Sequence, residues 1–189
     1  ISKLVDRIQE AQLELGNEAH VVVVGGGAAG IELSMSILGR WKPILGSDLR
    51  VTVLDSGPEL VPNESMTCRT ALLQILDQKG IDVLHNCHVK EITKDAVLLG
   101  TGEQIPCTHC LWATGAAAQP LAHRLGTRGL AVNQRGWIQV NQHLQSISHP
   151  FVFAAGDCSN IEGLLTGVSP PKAGVYAVRA GPILIENLS

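Results

Sequence analysis

Three glycines, Gly25, Gly27 and Gly30, follow an unbroken run of valines, and an aspartate, Asp55, closes the next β-rich run. The spacing is Gly-x-Gly-x-x-Gly, in which each glycine meets a different steric demand. The first permits a tight turn out of a strand, the second admits a ligand close to the backbone, and the third lets the following helix lie against the strand. Such a turn aims a helix N-terminus, with unpaired N–H groups and about half a positive charge, at an anion. A pyrophosphate suits that end without any lysine. Ala28 and Ala29, within the same spacing, complete the candidate cofactor-binding stretch. Asp55 follows Gly30 at close to the ~20-residue interval of a carboxylate that accepts from adenosine ribose hydroxyls and repels a 2′-phosphate. No cation directly follows it. Turn and acid together indicate NAD(H). Glu32, expected in the first turn of the helix, either touches the cofactor or simply meets the helix dipole. The bland alternative is a glycine turn and a capping aspartate with no ligand.

These residues work only if a strand precedes the turn and a helix follows it. Residues 20–24 (His20 and four valines) read as a strand buried on both faces, and 31–38 as the helix, followed by a loop holding Pro43 and Gly46. Residues 49–54 form a second parallel strand ending at Asp55. A helix over 67–79, with Leu72, Leu73 and Leu76 inward, is closed by Gly80, and 81–84 resume strand. The stretch 88–111 lacks helical period and predicts a β-meander turning at 100–102, before 111–115 return as a buried strand. Upstream, Leu4, Val5, Ile8, Ala11 and Leu15 share one face of an amphipathic helix over 2–15. The small residues and proline of 115–120 read as a junction. Beyond it come a hairpin (130–132 with 137–140 around 133–136), a strand over 151–155 broken by Gly156 and Asp157, and a helix from Pro171 to about 188 kinked at Gly181-Pro182. The expected organisation is a lead-in helix over 1–19, an α/β nucleotide-binding domain over 20–116, and a further unit over 117–189.

Composition narrows the function class. The net charge is −3, with no Lys/Arg run, which argues against nucleic acid. No apolar stretch approaches the ~18 residues of a membrane span, no signal peptide opens the chain, and the expected compartment is cytoplasmic. Aromatics make up 3% of the chain, so the core must be Val, Ile, Leu and Ala, as in parallel strands covered by helices on both faces. Five cysteines, an odd number, read as reduced thiols. Cys107 and Cys110 form a CxxC, but a redox pair needs its first cysteine at a helix N-terminus, and this pair leads into a strand. Zinc would need two further ligands, with His85, Cys87 and His88 the only nearby set, so the pair is read as structural and no metal is expected. Cys158 is expected to be small and buried. The seven histidines lack a Ser or Cys partner with an orienting third group, and no acid–base catalyst is assigned.

The ordered set formed by residues 20–32, the strand ending at Asp55, Ala113-Thr114-Gly115, Gly156-Asp157 and Pro171-Lys172-Ala173 resembles the FAD-dependent pyridine nucleotide-disulfide oxidoreductases. Within that family it most resembles the type II NADH dehydrogenase-like proteins, including the module fused to selenide, water dikinase. The resemblance implies an α/β fold: a Rossmann-like NAD(P)-binding domain, with a central parallel sheet, helices and a β-meander, joined to the C-terminal part of an FAD-binding domain. It implies hydride transfer from NADH to flavin in an intact protein. Ala113, Thr114 and Gly115 would form the crossing between the domains, Asp157 after Gly156 would bond the flavin's ribityl chain, and the helix near Lys172 and Ala173 would point its N-terminus at the flavin ring. The family's first FAD segment and its C-terminal dimerisation domain have no counterpart here. The chain is therefore expected to be an internal piece, whose partners are small-molecule cofactors, the missing FAD-domain segments and, in one arrangement, a second copy in a homodimer. A stand-alone NAD-binding or interaction module without catalysis is the alternative.

Overall fold

The computed structural model describes residues 18–165 and 167–188, so the amphipathic helix expected over 2–15 lies outside the described residues. The chain divides into two compact units after Thr114, each considered by itself. The first is α/β. Its elements run β1 (Ala19–Val24), α1 (Ala28–Leu45), β2 (Leu49–Leu54), α2 (Met66–Lys79), β3 (Ile81–Leu84), β4 (Val89–Ile92), β5 (Ala96–Leu99), β6 (Gln104–Pro106) and β7 (His109–Trp112).

Four strands make a wholly parallel sheet in the order β3-β2-β1-β7, with Val24 opposite Leu54 on one side and Trp112 on the other. β-branched side chains explain why β1 and β2 sit at its centre: the valines pack on both faces and exclude water. On one face Val21, Val23, Val51 and Val53 meet Ile31, Ile37, Leu38 and Trp41 of α1 and Leu76 of α2. On the other, Val22, Val24 and Leu54 meet Val97, Leu99 and Ile105 of the antiparallel meander β4-β5-β6 and Cys107, which follows it. Both faces are covered as expected of parallel strands, but helices cover one and the meander the other.

Three local expectations need correction. α1 continues through Pro43 to Leu45, where 37, 41 and 45 form a buried stripe and Gly46, at φ 63, caps the end by donating its N–H to the Lys42 carbonyl. Burial of Trp41 and Leu45 outweighs the ~3 kcal/mol penalty of an interior proline. Leu73 is exposed, leaving Leu76 as the fully buried residue of α2. β7 is an edge strand, half-buried, with Trp112 exposed, because only β1 pairs with it in the sheet.

The second unit holds α3 (Pro120–Gly126), β8 (Ile138–Val140), β9 (Ser159–Ile161) and α4 (Gly174–Leu188). The hairpin turn over 133–136 is present, with Gly136 at φ 81 and one antiparallel bridge from Val132 to Ile138, but β8 pairs in parallel with β9. Residues 151–155 are not a strand: they make one bridge, Gln145 to Phe153, and the Ala154 N–H bonds the Leu144 carbonyl. The regular strand falls later, after the 3-10 turn Gly156–Cys158. α4 begins at Gly174, not at Pro171, and carries Pro182 inside it.

Candidate functional site

Each parallel strand hands its next residue to the C-terminal edge of the sheet, where open α/β sheets bind ligands. Gly25 follows β1, Asp55 follows β2, His85 follows β3 and Ala113 follows β7. The ladder continues one step through them: Gly25 N–H donates to the Leu54 carbonyl at 2.8 Å, Asp55 N–H to Leu84 at 2.8 Å, and Ala113 N–H to Val24 at 2.8 Å. Gly25, Asp55, Ala113 and Thr114 are thus brought together at one edge.

The glycine turn has the sterics its spacing predicts. Gly25 sits at φ 126, and a Cβ there would overlap the Ala113 carbonyl. A Cβ on Gly30 would overlap the Gly25 carbonyl, so α1 rests directly on the turn. Around a Cβ on Gly27, by contrast, there is nothing within 4 Å among the described residues. Gly27 is the N-cap of α1, extended at φ −79 and ψ 176, and no side chain caps the helix. The exposed backbone of Gly27, Ala28 and Ala29 therefore presents the uncompensated amides of the first turn. Glu32 is exposed and is the fifth residue of α1, so it lies past the first turn, contrary to expectation; the helix starts at Ala28.

Asp55 lies against this turn. A Cβ on Gly26 would stand 2.5 Å from the Asp55 carboxyl carbon and 2.6 Å from Leu60 Cδ2, and the Gly26 carbonyl accepts from the Val61 N–H at 3.1 Å. The loop after β2 thus folds over Gly26, held further out by the Arg69–Glu59 ion pair. The Asp55 side chain is 14% exposed, with His85 Nδ1 at 3.9 Å from Oδ2. Gly26, Leu60 and His85 escaped sequence reasoning. The middle glycine of the triplet is Gly26 itself, and position immediately after a parallel strand signals His85.

The remaining candidates lie elsewhere. Gly115 is exposed, just past the division between the units. Gly156, Asp157, Lys172 and Ala173 line one small cavity of about 30 Å³ in the second unit, with Pro171 and Tyr176. Gly156 takes φ 73, and a Cβ on it would come within 3.0 Å of Ala177 in α4. Lys172 Nζ bonds the Ser159 carbonyl and stands 4.9 Å from the centre of the Trp137 ring. Burial pulls its pKa below the ordinary value, against the opposing pull of the Asp157 carboxylate. Cys158 is exposed rather than buried, its Sγ 3.2 Å from the Ala155 carbonyl, because the 3-10 turn carries it outward.

The CxxC cysteines sit in the packing between sheet and meander. Burial raises the pKa of Cys107, and raises that of Cys110 to about 11. Both stay protonated thiols near neutrality, opposite to the low-pKa state of reactive cysteines. No group of three or more His, Cys, Asp or Glu among the described residues is arranged for a metal. None of the described helices is long and apolar enough to cross a membrane.

Comparison with known proteins bears on the family and the fold. The protein described as "Probable NADH dehydrogenase" of Dictyostelium discoideum is 32% identical over 150 residues, covering 75% of this chain and 32% of that protein. The Type II NADH:quinone oxidoreductase of Haemophilus influenzae is 28% identical over 166 residues, 83% of this chain and 37% of the relative. The chain spans about a third of the length of these curated relatives. Among solved structures, a NAD-dependent persulfide reductase from A. fulgidus superposes with a TM-score of 0.74 at 24% identity, over 97% of this chain and 33% of that one, a likeness of fold. Residues 2–181 match the family profile described as Pyridine nucleotide-disulphide oxidoreductase. Fold, turn and profile meet in one conclusion: the chain belongs to the pyridine nucleotide-disulphide oxidoreductase family.

Proposed function

We propose that the chain is the NAD(H)-binding portion of a FAD-dependent NADH oxidoreductase, with residues 20–116 serving NAD(H) and 117–189 forming part of the FAD-binding domain. One observation carries the reading. Backbone closes the space beside Gly25 and Gly30, while the space beside Gly27 is open, at a helix end that no side chain caps. A diphosphate fits there: it is anionic, it needs backbone approach, and it is stabilised by amide donors in place of a cation. Asp55, at the adjoining strand end, accepts from the hydroxyls of the adenosine ribose and disfavours a 2′-phosphate. Ala113 and Thr114 wall the far side of Gly25.

The flavin-side residues also suit their group. Asp157 presents an exposed carboxylate after the left-handed Gly156, Lys172 lies on the same cavity, and Ala173 directly precedes α4. Bound FAD supplies the hydride acceptor. The chain's own residues orient and bind, and none is assigned a proton-transfer role.

The test is titration of the purified chain with NADH, monitored by calorimetry, beside a visible spectrum for retained flavin. NADH binding is expected, and Asp55→Ala should weaken it about tenfold or more, as loss of an ionised acceptor does. Unchanged affinity in Asp55→Ala refutes the ribose assignment. NADH binding by a colourless protein favours a binding module, and a flavin-yellow protein favours the FAD-dependent oxidoreductase.

A further inference from the structure

The NAD(H) reading leaves His85 unused, and its surroundings are unusual. Its Nδ1 is buried and makes no hydrogen bond among the described residues. A buried polar nitrogen without a partner is costly, and native structures keep few of them. The atom it faces is Asp55 Oδ2, at 3.9 Å, about 1 Å beyond a hydrogen bond.

That spacing belongs to the backbone rather than to a chance rotamer. Three hydrogen bonds stitch the end of β3 to the end of β2 on either side of the pair. Asp55 N–H donates to the Leu84 carbonyl at 2.8 Å, Cys87 N–H to the Asp55 carbonyl at 2.8 Å, and Asn86 N–H to the Gly57 carbonyl at 3.0 Å. Asn86, at φ 57, makes the left-handed step that returns the chain to β2. On the opposite side Gly26 leaves no room behind the carboxyl, since even a Cβ there would come to 2.5 Å from Asp55 Cγ. The carboxylate therefore lies between the glycine turn and the imidazole.

We infer that His85 is a positioning residue for Asp55: its Nδ1–H closes onto Oδ2 when ribose hydroxyls engage the carboxylate, fixing the orientation in which that carboxylate discriminates NADH from NADPH. This rests on the reading of Asp55 as the ribose acceptor. It requires the tautomer with the proton on Nδ1. Apo hydrogen bonds of functional groups are often long and shorten in the complex, so the open 3.9 Å gap is the expected resting geometry. The ligand's two hydroxyls and the imidazole would then occupy separate lone pairs of the carboxylate.

The experiment measures NADH and NADPH dissociation constants for the chain and four variants: Asp55→Ala, His85→Leu, His85→Asn and the Asp55→Ala/His85→Leu double. His85→Leu should weaken NADH about tenfold and narrow the NADH/NADPH preference, the effect of removing one donor to a charged acceptor. His85→Asn, whose amide nitrogen falls near the Nδ1 position, should stay within about twofold of the parent. In the Asp55→Ala background the leucine substitution should have no further effect, the non-additivity of residues that act as a pair. His85→Leu with full affinity overturns the inference, as does a loss that asparagine does not rescue or one that persists without Asp55. Full affinity in Asp55→Ala itself would instead overturn the ribose reading.

Discussion

Gly27 and Gly30 differ by three positions and by their surroundings, so alanine at each should separate binding from folding. At Gly30 a Cβ would fall well inside 3.0 Å of the Gly25 carbonyl, and Gly25 cannot yield because its N–H is pinned to Leu54 and its other side abuts Ala113. The start of α1 must then recede on the order of 1 Å, an overpacking that costs about 1–3 kcal/mol. At Gly27 a Cβ would meet nothing within 4 Å among the described residues, and φ −79 suits any residue. Alanine there gains some stability by restricting the unfolded chain and loses some as a poorer N-cap, for a net change within about 1 kcal/mol. Both changes should nonetheless weaken NADH by roughly tenfold to a hundredfold, the first by drawing amides away from the diphosphate and the second by placing a methyl where it approaches. Urea titration gives the stabilities and calorimetry the affinities. Gly27→Ala with undiminished NADH binding would refute the placement of the diphosphate over that residue, and Gly30→Ala with parental stability would refute the close packing of helix on turn.

Three further outcomes follow from packing and ionisation. Leu76→Ala, emptying a fully buried site between α2 and the sheet, should cost about 3 kcal/mol and lower the Tm of the first unit by roughly 10 °C in calorimetry. Burial lowers the pKa of His20, whose Nε2 lies 2.8 Å from Thr52 Oγ1, so the unfolded chain binds the proton more readily and stability should fall as pH drops below about 6.5. A denaturant midpoint that declines from pH 7.5 to 5.5 in the parent, and less in His20→Gln, is the check. At pH 8 a thiol reagent should label exposed Cys68 and Cys158 first, with buried Cys107 and half-buried Cys110 reacting far more slowly; labelling of Cys110 at the rate of Cys68 would contradict its partial burial and its pKa near 11.

The parts legible in the sequence were those set by local rules. Val21 to Val24 could only be a doubly covered strand, and three glycines at fixed intervals after it have a steric meaning that needs no knowledge of the rest of the chain. Gly80 likewise marks a helix end, and takes the left-handed conformation expected there. What escaped was set by partners distant in sequence. Pro43 is tolerated because Trp41 and Leu45 find the sheet, which no propensity announces. Phe151 to Ala155 have a strand's composition but find bridging partners too briefly to form one. Cys158 was expected inside and Glu32 in a first turn; a 3-10 turn and a helix start three residues earlier than expected displace them. His85 carries no motif at all, and only the parallel register of β2 and β3 sets it opposite Asp55.

The pairing of β1 with β7 also governs the order of assembly. The wall that meets Gly25 comes from Ala113, and His20 at the start of β1 exchanges hydrogen bonds with Thr108, 88 residues later. The meander between them is built from hairpin neighbours, which form in microseconds, whereas closure across so long a loop is entropically late. During synthesis the valine strand and its glycine turn emerge well before the segment that encloses them, so the proposed nucleotide site is among the last parts of its unit to be completed. Capture of nucleotide would then select chains whose edge strand has docked, and ligand present during refolding should raise the yield of native protein by mass action.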